Sequence, residues 1–398
     1  MLSVAEATQR ILATARPLPP ETVPLATAVG RVLRQDIAAD RDFPPYHRVT
    51  MDGIALRYDA LQAGQTEFAI ERTQLAGAVP QPLQQASGAI EIMTGAALPP
   101  GTDTVVRYED LDVANGRATV RVPPPRPGHN VHLKGSDETA GTRLLAAGQR
   151  LSPAEIAVAA TVGAATVAVS RRPRVAVVST GDEVVPVEAT PLPHQIRRSN
   201  AALLHAALLR DGAECEVFHL ADDLASLRAS LPPLLAGFDA VVMSGGVSKG
   251  KADFLPQALR ESGAAEVFHR VAQRPGQPLW FGQQPGGAVV FALPGNPVAT
   301  FAAYYRYVRN WLAAVQGAAP PPPRYAVLAE AVEFKPALTY FLAVRLEHAP
   351  DGRLLAHPAP TNGSGDLAGL LDADALLELS PELVQFEAGT AWPAWAYR

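Results

Sequence analysis

The stretch that decides the fold is Val175-Ala176-Val177-Val178-Ser179-Thr180-Gly181-Asp182-Glu183. Its apolar half is short and has no polar alternation, the pattern of a strand buried on both faces in a helix-covered parallel sheet. Its polar half holds the small hydroxyl residues and glycine of a strand-to-helix turn. Downstream, strand-like runs at 216–218, 240–243 and 288–291 alternate with helical patterns at 201–209, 224–235, 254–259 and 298–315. This βαβ alternation predicts a doubly wound parallel α/β sheet.

Three loops follow those strands directly: Ser179-Thr180-Gly181-Asp182-Glu183, Ser244-Gly245-Gly246-Val247-Ser248 and Pro294-Gly295-Asn296-Pro297. Ligands of open parallel sheets bind beyond the carboxyl ends of the strands, so the three loops are expected to line one crevice. Glycine lets backbone N–H groups approach an anion there, and a following helix adds the positive end of its dipole. Gly245 to Lys251 also spells the phosphate-binding pattern G-x-x-x-x-G-K. Ala252, however, stands where that loop needs a hydroxyl for Mg²⁺, which argues against a nucleotide hydrolase. Glu183, Asp222, Asp223 and Asp253 lie in or beside these loops. Singly, each reads as a helix cap or a solvated charge. Together, next to an anion site, they make sense around a hard cation such as Mg²⁺, which takes oxygen ligands from protein and phosphate alike.

Outward from this region, Ser3 and Glu6 form an S-x-x-E capping box ahead of an amphipathic helix, and Ser152-Pro153-Ala154-Glu155 repeats the device. Between them, residues 18–131 carry short apolar runs broken by proline and glycine, which predicts a β-rich region. His129 and His132 fall in a turn-rich stretch and read as a solvated loop pair, not metal ligands. A basic hinge, Arg171-Arg172-Pro173-Arg174, precedes the α/β region. Pro320-Pro321-Pro322-Pro323 ends it, and strand-like runs at 326–334, 340–346 and 375–379 predict a small C-terminal β domain.

The bulk numbers agree. A chain of 398 residues exceeds one hydrophobic core, and 48% hydrophobic against 18% charged residues is a globular composition. A net charge of −5 argues against nucleic acid as the main partner. The single cysteine, Cys215, allows no intramolecular disulfide and no cysteine-based zinc site. The first residues lack a signal-peptide pattern and residues 154–169 are too short and too interrupted to span a membrane, so a cytoplasmic protein is expected.

At its loops the sequence resembles the molybdopterin molybdenumtransferase family, which includes the cofactor-synthesis domain of gephyrin. The resemblance runs from Asp42-Phe43-Pro44-Pro45-Tyr46 and Met51-Asp52-Gly53 through Met93-Thr94-Gly95-Ala96 and Gly135-Ser136-Asp137-Glu138-Thr139-Ala140-Gly141. It takes in the three crevice loops and ends at Gly363-Ser364-Gly365, covering nearly the whole chain. It implies a homodimer of four-domain subunits: residues 1–41 and 134–170 an N-terminal helical and linker domain, 42–133 an inserted β-rich domain, 171–317 the molybdopterin-binding α/β domain, and 318–398 a C-terminal β domain. It also implies catalytic roles for Asp52, Thr94, Asp137, Glu183, Asp222 and Asp253, with Glu183, Asp222 and Asp253 holding Mg²⁺. Ser179, Thr180, Gly181, Ser244, Gly245, Gly246, Ser248, Arg274, Pro294, Gly295, Asn296 and Ser364 would bind the substrate.

The activity implied is insertion of molybdate into adenylylated molybdopterin with release of AMP, the adenylyltransferase and recipient molybdoenzymes being further partners. Two alternatives belong to other classes: a molybdopterin adenylyltransferase, which would need neither the Met51-Asp52-Gly53 region nor a C-terminal domain, and a non-catalytic gephyrin-like scaffold. Some positions depart from the family's commoner pattern. Arg48-Val49 precedes Met51-Asp52-Gly53 in place of Asn-Ser, Arg198 replaces an acid, and Arg274 and Gln277 stand where lysines are usual. Gln277 keeps a hydrogen-bond donor but loses a charge.

Overall fold

The computed structural model describes residues 1–247 and 254–398. In its α/β part, six strands pair in the order Glu214–Leu220, Arg174–Thr180, Ala240–Ser244, Val289–Leu293, Trp280–Gln283 and Ala265–His269. The first four are mutually parallel. Alternate residues of the central strands enter different cores. Val175, Val177, Val242, Val289 and Phe291 pack on one face with Leu204 and Leu208 of the helix Ser199–Arg210. Ala176, Val178, Val241, Met243 and Val290 pack on the other with Leu227 and Leu231 of Leu224–Gly237 and Leu255 and Leu259 of Leu255–Glu261. Two apolar faces explain why these strands read as unbroken hydrophobic runs.

The sheet is not wholly parallel, as the alternation suggested. Trp280–Gln283 runs antiparallel to both of its neighbours. Gly282 lies within that strand, and a Cβ there would lie 2.3 Å from the Trp280 ring, so the residue must be small where the indole folds back. Trp280 is fully buried and its indole N–H donates to Glu266 at 3.0 Å.

The two capping boxes form, on Val4–Ala13 and Pro153–Thr161. Only the second helix packs in the N-terminal core, with Leu33, Ile37, Leu145, Val167 and Val169. The first, expected with residues 1–41, instead buries Val4, Ala7 and Ile11 in the α/β core. The β-rich part is a six-stranded sheet holding Gly53–Leu56 between Thr104–Arg107 and Gly88–Ile92. In the C-terminal part, Thr339–His348, Leu354–Pro358, Arg324–Leu328, Ala391–Ala396 and Ala375–Leu379 pair in sequence, and the last closes back on the first. The result is a small barrel around Leu328, Val344, Ala356, Leu377 and Ala394. Gln273–Arg274 adds alongside Thr339–His348, so Arg274 is anchored to the barrel's edge.

Arg171 of the basic hinge makes two 2.8 Å hydrogen bonds to the Asp239 carboxylate, which also accepts the Arg174 backbone N–H at 2.7 Å. Burial pushes the Asp239 carboxyl up, but these donors outweigh it and its pKa lies below the ordinary value. A depressed carboxylate stabilises the fold above its unfolded pKa, and that contribution is lost as pH falls through the lower folded value. Asp239→Asn is expected to cost about 1–3 kcal/mol at pH 7, as for hydrogen bonds to a charged group. Thermal melts should show the wild-type advantage shrinking only below about pH 4.

Candidate functional site

The three glycine-bearing loops leave adjacent parallel strands at one edge of the sheet. Ser244 sits opposite both Ser179 and Leu293, and the Gly245 N–H donates to the Leu293 carbonyl at 3.2 Å. Gly245 and Gly246 adopt φ of +102° and +70°, and a Cβ on Gly245 would lie 2.8 Å from the Thr180 hydroxyl. Glycine is therefore required by both backbone conformation and close approach. Thr180 is 4% exposed and its hydroxyl has no hydrogen-bond partner among the described residues. A buried unpaired hydroxyl at the floor of a crevice is costly unless a ligand or water completes it. The Ser179 hydroxyl is engaged within the sheet, 3.1 Å from His219 Nδ1.

Asn200, which the sequence pattern did not single out, fastens two of the loops together. Its Nδ2 donates to Ser244 Oγ and to the Gly295 carbonyl, both at 2.7 Å. Asn200 belongs to the first turn of Ser199–Arg210, and the only local signal was an amide at a helix start. The third loop is fixed from its far side as well. Asn296 Nδ2 donates to Ser364 Oγ at 2.8 Å, and the Ser364 carbonyl accepts the Val298 N–H at 3.1 Å. The C-terminal serine and the Pro294-Gly295-Asn296-Pro297 loop thus meet across a cavity of about 490 Å³, also lined by Arg274, Gln277 and Tyr340. Among the described residues Arg274 is the one cationic side chain in that lining, which also holds the carboxylate of Asp366. Gln277 turns its amide toward Met1 Sδ at 2.9 Å.

The neighbouring acids divide by role. Asp223 is a helix cap whose carboxylate accepts the Ser226 N–H at 2.9 Å, and hydrogen bonding to Ser226 holds its pKa low. Asp222 is half-buried just past Leu220, and Glu183 is exposed beside Gly181. Because Thr180 and Leu220 are partners in the parallel ladder, Glu183 and Asp222 stand on adjacent loops. Their oxygens suit a hard divalent cation. Ser248 and Asp253 lie outside the described residues, and among the described ones no three His, Cys, Asp or Glu side chains gather as a metal site.

A second polar group lies on the β-rich part. Gly53 admits no side chain, since a Cβ would sit 1.9 Å from the Val106 carbonyl oxygen, and this fixes Asp52 at the strand's start. Asp52 Oδ1 accepts both the Thr94 hydroxyl and the Thr94 N–H at 2.6 Å. These donors, the hydroxyl first, hold the Asp52 carboxyl below the usual range. Nearby, His132 is not the solvated loop residue expected. It pairs in a short strand with Arg48, and its ring bridges Arg48 Nη2 (3.0 Å, to Nδ1) and Asp137 Oδ1 (2.7 Å, from Nε2). Arginine only donates, so Nδ1 accepts and the proton of the neutral ring sits on Nε2, facing the carboxylate. Among the described residues no hydrogen bond or ion pair joins this group to the crevice of the same chain.

Comparison with known proteins accounts for this arrangement. Residues 2–163 match the MoeA N-terminal region (domains I and II), 176–314 a probable molybdopterin binding domain, and 325–395 the MoeA C-terminal region (domain IV). The chain is 36% identical to a molybdopterin molybdenumtransferase of Synechocystis, with all of both chains aligned. It is 31% identical to that of Staphylococcus aureus, over 98% of this chain and 94% of the other. The crystal structure of a molybdopterin biosynthesis MoeA protein from Pyrococcus horikoshii superposes with a TM-score of 0.86 at 26% identity, covering both chains in full.

Thr94→Val keeps the backbone donor to Asp52 and deletes the hydroxyl. The Asp52 carboxyl pKa, followed by NMR with ¹³C-labelled aspartate, should rise part of the way back to the ordinary aspartate range. An unchanged titration would mean that the hydroxyl does not hold the carboxylate in solution.

Proposed function

The chain belongs to the MoeA family of molybdopterin molybdenumtransferases, and we propose that it inserts molybdate into adenylylated molybdopterin and releases AMP. The observation that carries this reading is the Asn296–Ser364 hydrogen bond, which makes the crevice and the C-terminal barrel walls of one cavity. An adenylyltransferase built on the α/β fold alone has no use for that wall.

In this reading, the backbone of the three loops seats the pyrophosphate, and the unpaired Thr180 hydroxyl completes its bonding there. Arg274 and Ser364 hold the molybdate oxygens, with Asn296 fixing the serine. Glu183 and Asp222, together with Asp253, are the oxygen donors for Mg²⁺. When bound, the ion neutralises pyrophosphate charge. The reaction needs no covalent bond to the protein. Among the described residues no hydrogen bond or ion pair joins the Asp52, Thr94 and Asp137 group to its own crevice, so it serves the crevice of a second subunit in a two-fold homodimer. The enzyme supplying the adenylylated substrate and the apoenzymes receiving the product are its partners, in the cytoplasm. Among the described residues no helix is long and apolar enough to cross a membrane.

Adenylylated molybdopterin incubated with the protein should release AMP only when molybdate and Mg²⁺ are both present, and chelation should abolish the release. Synthesis of the adenylylated compound from ATP without molybdate would instead identify an adenylyltransferase. Binding without AMP release would identify a scaffold.

A further inference from the structure

The helix Ser199–Arg210 begins at the crevice with Asn200 and ends, about 18 Å away at 1.5 Å per residue, at a second cavity. This cavity measures about 670 Å³ and lies where the turns around Gly30 and Gly148 meet Arg210-Asp211-Gly212 and the helix Arg309–Val315. Arg150, Arg172, Arg210 and Arg309 line it against one carboxylate, Asp211. A fifth arginine, Arg31, is neutralised by Glu21. Asp211 already accepts the Tyr304 hydroxyl at 2.8 Å and lies 3.5 Å from Arg309 Nε and 3.7 Å from Arg210 Nε. An adjoining cavity shares Arg210 and Arg309, adds Arg324 and Arg398, and has no acidic side chain among the described residues that line it.

Arginines near helix carboxyl ends often serve only to cap carbonyls. Some of that occurs here: Arg150 donates to the Gly30 carbonyl at 2.6 Å, Arg210 to that of Tyr397 at 3.0 Å and Arg309 to that of Ala396 at 3.3 Å. Each guanidinium has five N–H donors, so these bonds leave most of them unused. The exposed Arg172 side chain has no hydrogen bond or ion pair among the described residues, its backbone carbonyl alone accepting from Arg171 Nη1 at 3.0 Å. Loss of solvent around the Arg150 guanidinium, together with repulsion from Arg309, lowers its pKa despite the attraction of Asp211. Cations gathered in a cavity with too few carboxylates are stabilised by a multivalent anion.

We infer that this cavity is a second anion site, remote from the crevice, that takes a small polyphosphate, either inorganic pyrophosphate or a nucleoside diphosphate. Four guanidinium groups around one cavity of about 670 Å³ suit the several charges of a phosphoanhydride, and the volume admits a ligand of that size. Hydrogen exchange on the full chain, with inorganic pyrophosphate and with ADP as probes, tests this. Protection should appear in peptides spanning residues 146–152 and 207–214 as well as in the crevice loops. Arg172→Gln touches no structural partner; it should weaken the remote protection about tenfold in half-saturating concentration, leaving crevice protection and AMP release unchanged. Equal losses with both probes identify the phosphoanhydride as the feature recognised, and a loss with ADP alone adds contacts to the nucleoside. Protection confined to the crevice, or remote protection indifferent to Arg172→Gln with both probes, would overturn the site.

Discussion

Burial of the central strands on both faces is the constraint on which the site rests. Val175 and Val177 enter one core while Ala176 and Val178 enter the other, and the neighbouring strands repeat the division residue by residue. A slip of one residue would exchange the two sets and misfit both cores, so the register is fixed from two sides. Fixed register brings Thr180, Gly245 and Pro294 out at the same edge. Only then can one side-chain amide, that of Asn200, reach two loops at once. The crevice follows from sheet packing, and its glycines answer to contacts such as Gly245 against Thr180 as much as to any ligand.

Charge is distributed unevenly over this frame. The crevice floor offers neutral hydroxyls and backbone groups, the cavity toward the barrel has Arg274 as its one cation among the described residues with Asp366 also in its lining, and Glu183 and Asp222 stand on the next loops. Such a surface leaves part of an anionic substrate's charge for another group to balance, and the acids fit that task only with a divalent ion between them. The β-rich part shows the opposite economy. Asp52 and Asp137 are each held by donors of their own chain, which orients two carboxylates on an exposed surface. Carboxylates so oriented, yet joined to their own crevice by no hydrogen bond or ion pair among the described residues, are what a site completed by a second subunit requires.

Local signals were legible in the sequence, and long-range ones were not. Both capping boxes formed because their partners are three residues apart. The helix at 224–235 was readable although it contains Pro232-Pro233, since burial of Leu227, Leu231, Leu234 and Leu235 outweighs poor propensity. Trp280–Gln283 escaped notice because Gly282 breaks its apolar run, and the closure of the barrel depends on a pairing between 339–348 and 375–379 that no local pattern encodes. Of the Asp222-Asp223 pair, sequence alone could not say which caps the helix. His132 was misread because its partners, Arg48 and Asp137, come from different segments, one of them 84 residues away. Asn200 was missed for the same reason, its acceptors being 44 and 95 residues distant.

In the proposed homodimer, crevice and β-rich surface form one site drawn from two chains. Asp52→Asn and Glu183→Gln chains, each inactive alone, can be mixed and allowed to exchange subunits. If the site is shared, half of the sites in a mixed dimer escape both substitutions, and random exchange should restore about a quarter of wild-type AMP release. If both residues came from one chain, every site would carry one defect. No recovery, with exchange verified by native mass spectrometry, would contradict the claim.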